Sequence, residues 1–154
     1  MGASPYRCRL MPGEEESVVD QSTHYGMRTT MQLPFELALD RARKALAREG
    51  FSIQSEIDMA RSLKQKLDVV FRPYVILGAC IPQLAHQALS VERDAGLLLP
   101  CNIVVYADDA PGSSVVAALD PVESLGLSRS EDMKPVAEEI RARLERVLKW
   151  VSEG

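Results

Sequence analysis

Apolar and polar positions along this chain switch between a period of two and a period near 3.6, and each switch marks an element boundary. Tyr25, Met27, Thr29 and Met31 alternate with Gly26, Arg28 and Thr30, the pattern of a half-buried strand. Pro34 then opens a helix at the first-turn position, where its missing N–H costs nothing. Phe35, Ala38, Leu39, Ala42, Ala45 and Leu46 fall on one face of that helix, and Gly50 stops it. The period of two returns at Phe51, Ile53, Ser55 and Ile57. Asp58 is a suitable N-cap for a short helix on which Met59, Leu63 and Leu67 share a side.

Residues 69–80 read as a third strand with Pro73 near its start, and Pro82 opens a further helix that turns Ala85, Ala88 and Leu89 inward with Leu84 flanking. Asp94-Ala95-Gly96 is a turn. Residues 97–106 read as one long strand or two, broken or bulged at Pro100. A hairpin turn over 108–114, containing Pro111-Gly112, leads to a last strand at 115–119. Asp120-Pro121 ends it and a loop runs through Gly126. Ser130 caps a long C-terminal helix with an apolar stripe of Val136, Ile140, Leu144, Val147 and Val151, and its other face is dense in Glu and Arg at i,i+4 spacing.

The order β-α-β-α-β-α-β-β-α, closed by an antiparallel hairpin, predicts an α+β two-layer sandwich: a curved, mostly antiparallel sheet with helices packed on one face. Several connections are too short for parallel crossovers and no glycine-rich phosphate loop is present, which disfavours a doubly wound fold. A chain of 154 residues accommodates one domain with a real core. The expected division is a disordered leader over 1–20, with Pro5, Pro12, Gly13 and the run Glu14-Glu15-Glu16, and one α+β domain over 21–154.

Charge and cysteine content narrow the function classes. The net charge of −4 and the interleaving of basic with acidic residues argue against a nucleic-acid binder. No apolar run spans a bilayer and the N-terminus lacks a signal-peptide pattern, so a cytoplasmic location with no membrane partner is expected. Three cysteines, Cys8, Cys80 and Cys101, do not make a disulfide framework and read as free thiols or ligands.

Two apolar runs, 74–82 and 97–106, each carry one cysteine beside a proline. Cys80 precedes the helix opened by Pro82, whose unsatisfied N–H groups favour a thiolate. His86 lies one turn into that helix. Convergence of Cys80, Cys101 and His86 is therefore the expected chemical site, with burial of both thiols and a solvated imidazole as the plain alternative. Asn102 on an apolar strand must satisfy its amide from backbone or ligand, and Tyr74 is a further ligand-binding candidate. Asp58 and Asp120 are better explained by capping and turn formation, and His24 by a surface position. No standard hydrolase, P-loop, zinc-protease or dithiol motif is present.

These residues resemble the domain-of-unknown-function family 302. The matching pieces run from Tyr25-Gly26-Met27 through Pro34-Phe35, Gly50-Phe51, Glu56-Ile57-Asp58 and residues 63–67 to Tyr74-Val75-Ile76-Leu77-Gly78-Ala79-Cys80 with Pro82, Ala85-His86 and Ala88-Leu89. They end with residues 96–105 and Asp120-Pro121. The family commonly has Asn where this chain has Ile81. The resemblance implies a small α+β domain with TATA-box-binding-protein-like topology that forms a homodimer, and it implies no established activity.

The reading that follows is a dimeric binding protein holding a small ligand between the sheet and the helix bearing His86. A haem-like cofactor there would be gripped by Leu and Val walls and an axial His or Cys. The alternatives are a thiol-dependent enzyme or redox protein using Cys80 with His86 as base, and a purely structural assembly domain contacting partners through Trp150 and Val151.

Overall fold

The structure, a computed structural model, describes residues 19–154. The expected leader up to residue 18, with Cys8, lies outside the described residues. The strands are β1 (Asp20–Thr23), β2 (Gly26–Met31), β3 (Ser52–Asp58), β4 (Tyr74–Cys80), β5 (Cys101–Ala107) and β6 (Ser114–Leu119). The helices are α1 (Phe35–Arg48), α2 (Met59–Leu67), α3 (Pro82–Val91), α4 (Pro121–Leu125) and α5 (Lys134–Glu153). One sheet runs β1-β2-β6-β5-β4-β3, with every neighbouring pair antiparallel. Four antiparallel steps separate β2 from β3, so these two strands are parallel, and α1 is the crossover that carries the chain between them. The expected α+β two-layer arrangement is the one observed.

Strand alternation puts one face of the sheet in the core. Met27, Leu77, Ala79, Ile103, Val105, Val116 and Ala118 are buried there. Against them lie Ala38, Leu39, Ala42, Ala45 and Leu46 of α1, and Val136, Ile140, Leu144, Val147 and Val151 of α5. Both apolar stripes read from the sequence are therefore core. Val151 is fully buried, and Trp150 packs against the core with the Arg48 guanidinium 4.9 Å from its ring centre, so neither residue offers the docking surface expected of them. Helix α2 differs: Asp58 caps it as expected, accepting from the N–H of Arg61 at 2.9 Å, yet none of its residues is buried.

Five boundaries depart from expectation. Asp20 pairs in β1 rather than belonging to a leader. β4 begins at Tyr74, after Pro73 rather than around it, because proline cannot donate to a ladder. Residues 93–98 form a 3-10 turn, and β5 starts only after Pro100. The presumed loop after Asp120 is α4: Asp120 accepts from the N–H of Val122 at 2.9 Å and Pro121 takes the first turn. Asp120 is also 3.5 Å from Arg141 of α5, which ties this short helix to the long one. Ser130 makes no side-chain cap; a 3-10 turn at Glu131–Met133 leads into α5 instead.

One core position is poorly matched to its surroundings. Thr29 of β2 is 2% exposed and its hydroxyl has no hydrogen-bond partner. A stranded buried hydroxyl costs about 1–3 kcal/mol, and valine has nearly the same shape. Thr29→Val is therefore expected to stabilise the protein by about 1 kcal/mol in urea unfolding. A lowered midpoint for this variant rules out the assignment of a stranded hydroxyl.

Candidate functional site

Alternation within each strand sorts the candidate residues onto two faces. On β4, Val75, Leu77 and Ala79 face the helices, while Tyr74, Ile76, Gly78 and Cys80 point away from them. On β5, Cys101, Ile103 and Val105 face the helices, while Asn102, Val104 and Tyr106 point away. Cys80 and Cys101 therefore leave the sheet on opposite sides. His86 is exposed on the outer surface of α3, in the helical layer, where its carbonyl accepts from the Ser90 hydroxyl at 2.7 Å. The structure does not bring the two thiols and the imidazole together.

The space between sheet and α3, where a ligand was expected, is filled by the buried side chains of Ile81, Leu84, Ala88 and Cys101. Ile81, the departure from the family pattern, is thus a core residue here. Among the described residues no three His, Cys, Asp or Glu side chains gather as a metal site. A haem held by His86 with either cysteine does not fit this arrangement, because His86 is exposed on α3, Cys101 is buried in the core and Cys80 leaves the opposite face of the sheet.

Burial also quiets the thiols. Desolvation pushes Cys80 above the ordinary thiol range, only partly offset by the backbone N–H of Cys101. Cys101, 3% exposed, is pushed up to about 12 by desolvation, with the neighbouring Cys80 adding to the effect. Neither is a thiolate near neutral pH, and the helix-terminus activation expected for Cys80 does not prevail. The residue points off the sheet rather than along the axis of α3.

The uncovered face holds the better-formed arrangement. A hollow of about 360 Å³ is lined by Tyr74 and Val104, Asn102 and Tyr106, Arg28, and the backbone strip of β6 from Ala117 to Leu119. Tyr74 pairs directly with Tyr106 across β4 and β5, and their rings stack 5.2 Å apart at 5°. Phe71 extends this aromatic row, 6.1 Å from Tyr74. Arg28 of β2 approaches from the other side. Its Nε donates to Asp20 at 3.3 Å and its guanidinium lies against the Tyr106 hydroxyl. Burial opposes that charge, but the carboxylate and the phenol outweigh it and hold Arg28 above its ordinary value. Burial, then Tyr106 and Tyr25, raise the Tyr74 phenol, which stays protonated.

Asn102 stands opposite Gly78 in the ladder. A side chain at Gly78 would run into Ser55 and reach within 2.9 Å of Pro100 Cγ, so only glycine fits beneath that corner. The amide of Asn102 is exposed and makes no hydrogen bond to the described protein. Of the residues singled out from the sequence, Tyr74 and Asn102 are therefore brought into one hollow. Arg28 and Tyr106 were missed. Arg28 had a signal, since it sits at a polar position in an alternating strand. The pairing of Tyr106 with Tyr74 depends on register, which residue spacing within either strand does not carry.

The thiol assignment has a sign that can be tested. Cys101 is neutral in the fold at a pH where a free thiol, of pKa about 8.5, ionises. Its contribution to stability is therefore complete below about pH 8.5 and is lost as pH rises toward about 12. Wild type should lose stability across that window more steeply than Cys101→Val, by up to about 1.4 kcal/mol per pH unit. Parallel urea-midpoint curves for the two proteins contradict a thiol held neutral by burial.

Comparison with known proteins follows the same lines. The family model described as "Domain of unknown function DUF302" matches residues 27–151. The fold is similar to the crystal structure of an uncharacterized conserved DUF302 protein from Bacillus stearothermophilus, with 26% identity and a TM-score of 0.76 over 83% of this chain and 98% of that one. No curated protein matches the chain. No described helix is long and apolar enough to cross a membrane. From strand β2 to the end of α5, this chain belongs to the DUF302 family.

Proposed function

We propose that this protein binds a small molecule in the hollow on the uncovered sheet face, and that it works as a homodimer. The observation that carries the first part is the meeting of an aromatic pair, a guanidinium and an unpaired amide in one concavity, Tyr74 with Tyr106, Arg28 and Asn102. Ligand sites combine apolar or aromatic walls with a few convergent polar groups. Size alone favours other places. A hollow of about 510 Å³ lies between α4 and the start of α5, and one of about 560 Å³ lies beside Gly50 and Pro82. The first has no aromatic side chain in its lining and the second only Phe51, which is buried in the core, so chemistry outweighs volume.

The dimer is supported by surface that a monomer leaves wet. After α2 the chain exposes Leu67 at 65% and Val70 at 85%, with Val69 and Phe71 also exposed, beside the uncovered sheet face. This protruding apolar segment suits a twofold contact in which the same segment of each copy packs against the other. The thiol-enzyme alternative has no base beside Cys80 and no depressed thiol to support it.

Two measurements test this reading. In amide-resolved NMR, a fragment mixture is expected to shift residues of β2, β4 and β5 around Arg28, Tyr74 and Asn102. Shifts clustered on α4 and α5, or none, count against the hollow. For assembly, light scattering at tens of micromolar should give twice the chain mass, and Val70→Lys should shift the population to monomer. A wild-type monomer, or a Val70→Lys dimer of unchanged stability, removes the proposed contact.

A further inference from the structure

Donors outnumber acceptors in the hollow, and its one charged lining side chain is the cationic Arg28, which narrows the ligand. Arg28 offers five N–H donors and no acceptor; one goes to Asp20 and one side of the guanidinium rests on Tyr106. Beyond Asp20 and Tyr106 the guanidinium has no hydrogen-bond partner in the described protein. The Asn102 amide supplies two more donors beside its one acceptor oxygen, and the Tyr74 hydroxyl can donate or accept. Asp20 holds Nε from the side, which fixes the fork without occupying its ends. Between these donors lies the flat, stacked surface of Tyr74 and Tyr106 and the low floor of Ala117.

Resting on the reading of this hollow as a ligand site, we infer that its ligand is a small aromatic carboxylate. The ring lies against the Tyr74–Tyr106 pair and the carboxylate is received by the terminal nitrogens of Arg28 with the Asn102 amide beside it. Ring and charge are both required. An aliphatic acid leaves the aromatic surface unmatched, and a neutral ring leaves the guanidinium without an acceptor. The volume of about 360 Å³ suits one or two fused rings.

The test uses the full-length protein and three probes: 2-naphthoate, naphthalene-2-methanol and cyclohexanecarboxylate, titrated by NMR. Naphthoate should bind saturably, shifting the Arg28 Nε–H and the Asn102 side-chain amide. The alcohol and the saturated acid should each bind about tenfold more weakly, the loss expected for one charge-assisted hydrogen bond or one aromatic contact set. Arg28→Gln should weaken naphthoate about tenfold, leave the alcohol unchanged, and be partly rescued in Arg28→Lys. If naphthoate and the alcohol shift the open-face residues with equal affinity and Arg28→Gln alters neither, the carboxylate assignment is overturned while the hollow remains a ligand site. If no probe shifts those residues, both the assignment and the underlying reading fail.

Discussion

The fold depends on one constraint: α1 and α5 must cover one side of a six-stranded sheet, and that side alone. Each buried Leu, Ile, Val or Met contributes about 1.5–3 kcal/mol relative to exposure. Residues of this kind from β2, β4, β5 and β6 meet those of α1 and α5 in a single cluster. The ion pairs are of another order. Most join exposed side chains, such as Lys44 with Asp40 and Arg43 with Glu56, and contribute at most about 1 kcal/mol each. The sheet-to-helix layer therefore decides the fold, and the surface charges decorate it.

That constraint creates the uncovered face. The crossover α1 carries the chain from β2 to the far edge at β3, α3 and the 3-10 turn after it link β4 to β5, and α5 follows β6 through α4. All of these return over the same side. Among the described residues no helix covers Tyr74, Ile76, Val104 and Tyr106; the Tyr74 and Tyr106 rings stack on each other, and a hollow lies between them and Arg28. The proposed site is thus a consequence of connectivity rather than a cleft carved into the core.

The architecture was legible in the sequence because its causes are local. The i, i+3, i+4 stripe of α1, the longer stripe of α5, the Asp58 cap and the Gly50 stop each follow from a few neighbouring residues, and Gly50 does take a positive φ of 84°. The short helix α4 was legible too: Asp120-Pro121 is the same cap-and-proline start that marks helices elsewhere, but it was read as a turn. The site was only half legible. Parity separates Cys101 from Asn102 without any structure, since adjacent strand residues face opposite ways. Parity does not say which layer α3 joins, nor that Tyr74 meets Tyr106. Those facts come from register and packing between segments some thirty residues apart in sequence.

The same geometry explains why this hollow suits recognition rather than bond-making. Nucleophilic catalysis needs a reactive group and a base within hydrogen-bond reach. Here the thiols are neutral, one is sealed beneath α3, and His86 is exposed on α3. What lines the hollow are groups that keep their protons at neutral pH: a guanidinium, an amide and a phenol raised by burial. A surface of a guanidinium, an amide and phenols around a flat aromatic wall has no base to take a proton from a substrate and several donors to offer an acceptor. The proposed binding role rests on this contrast between absent reactive groups and available donors.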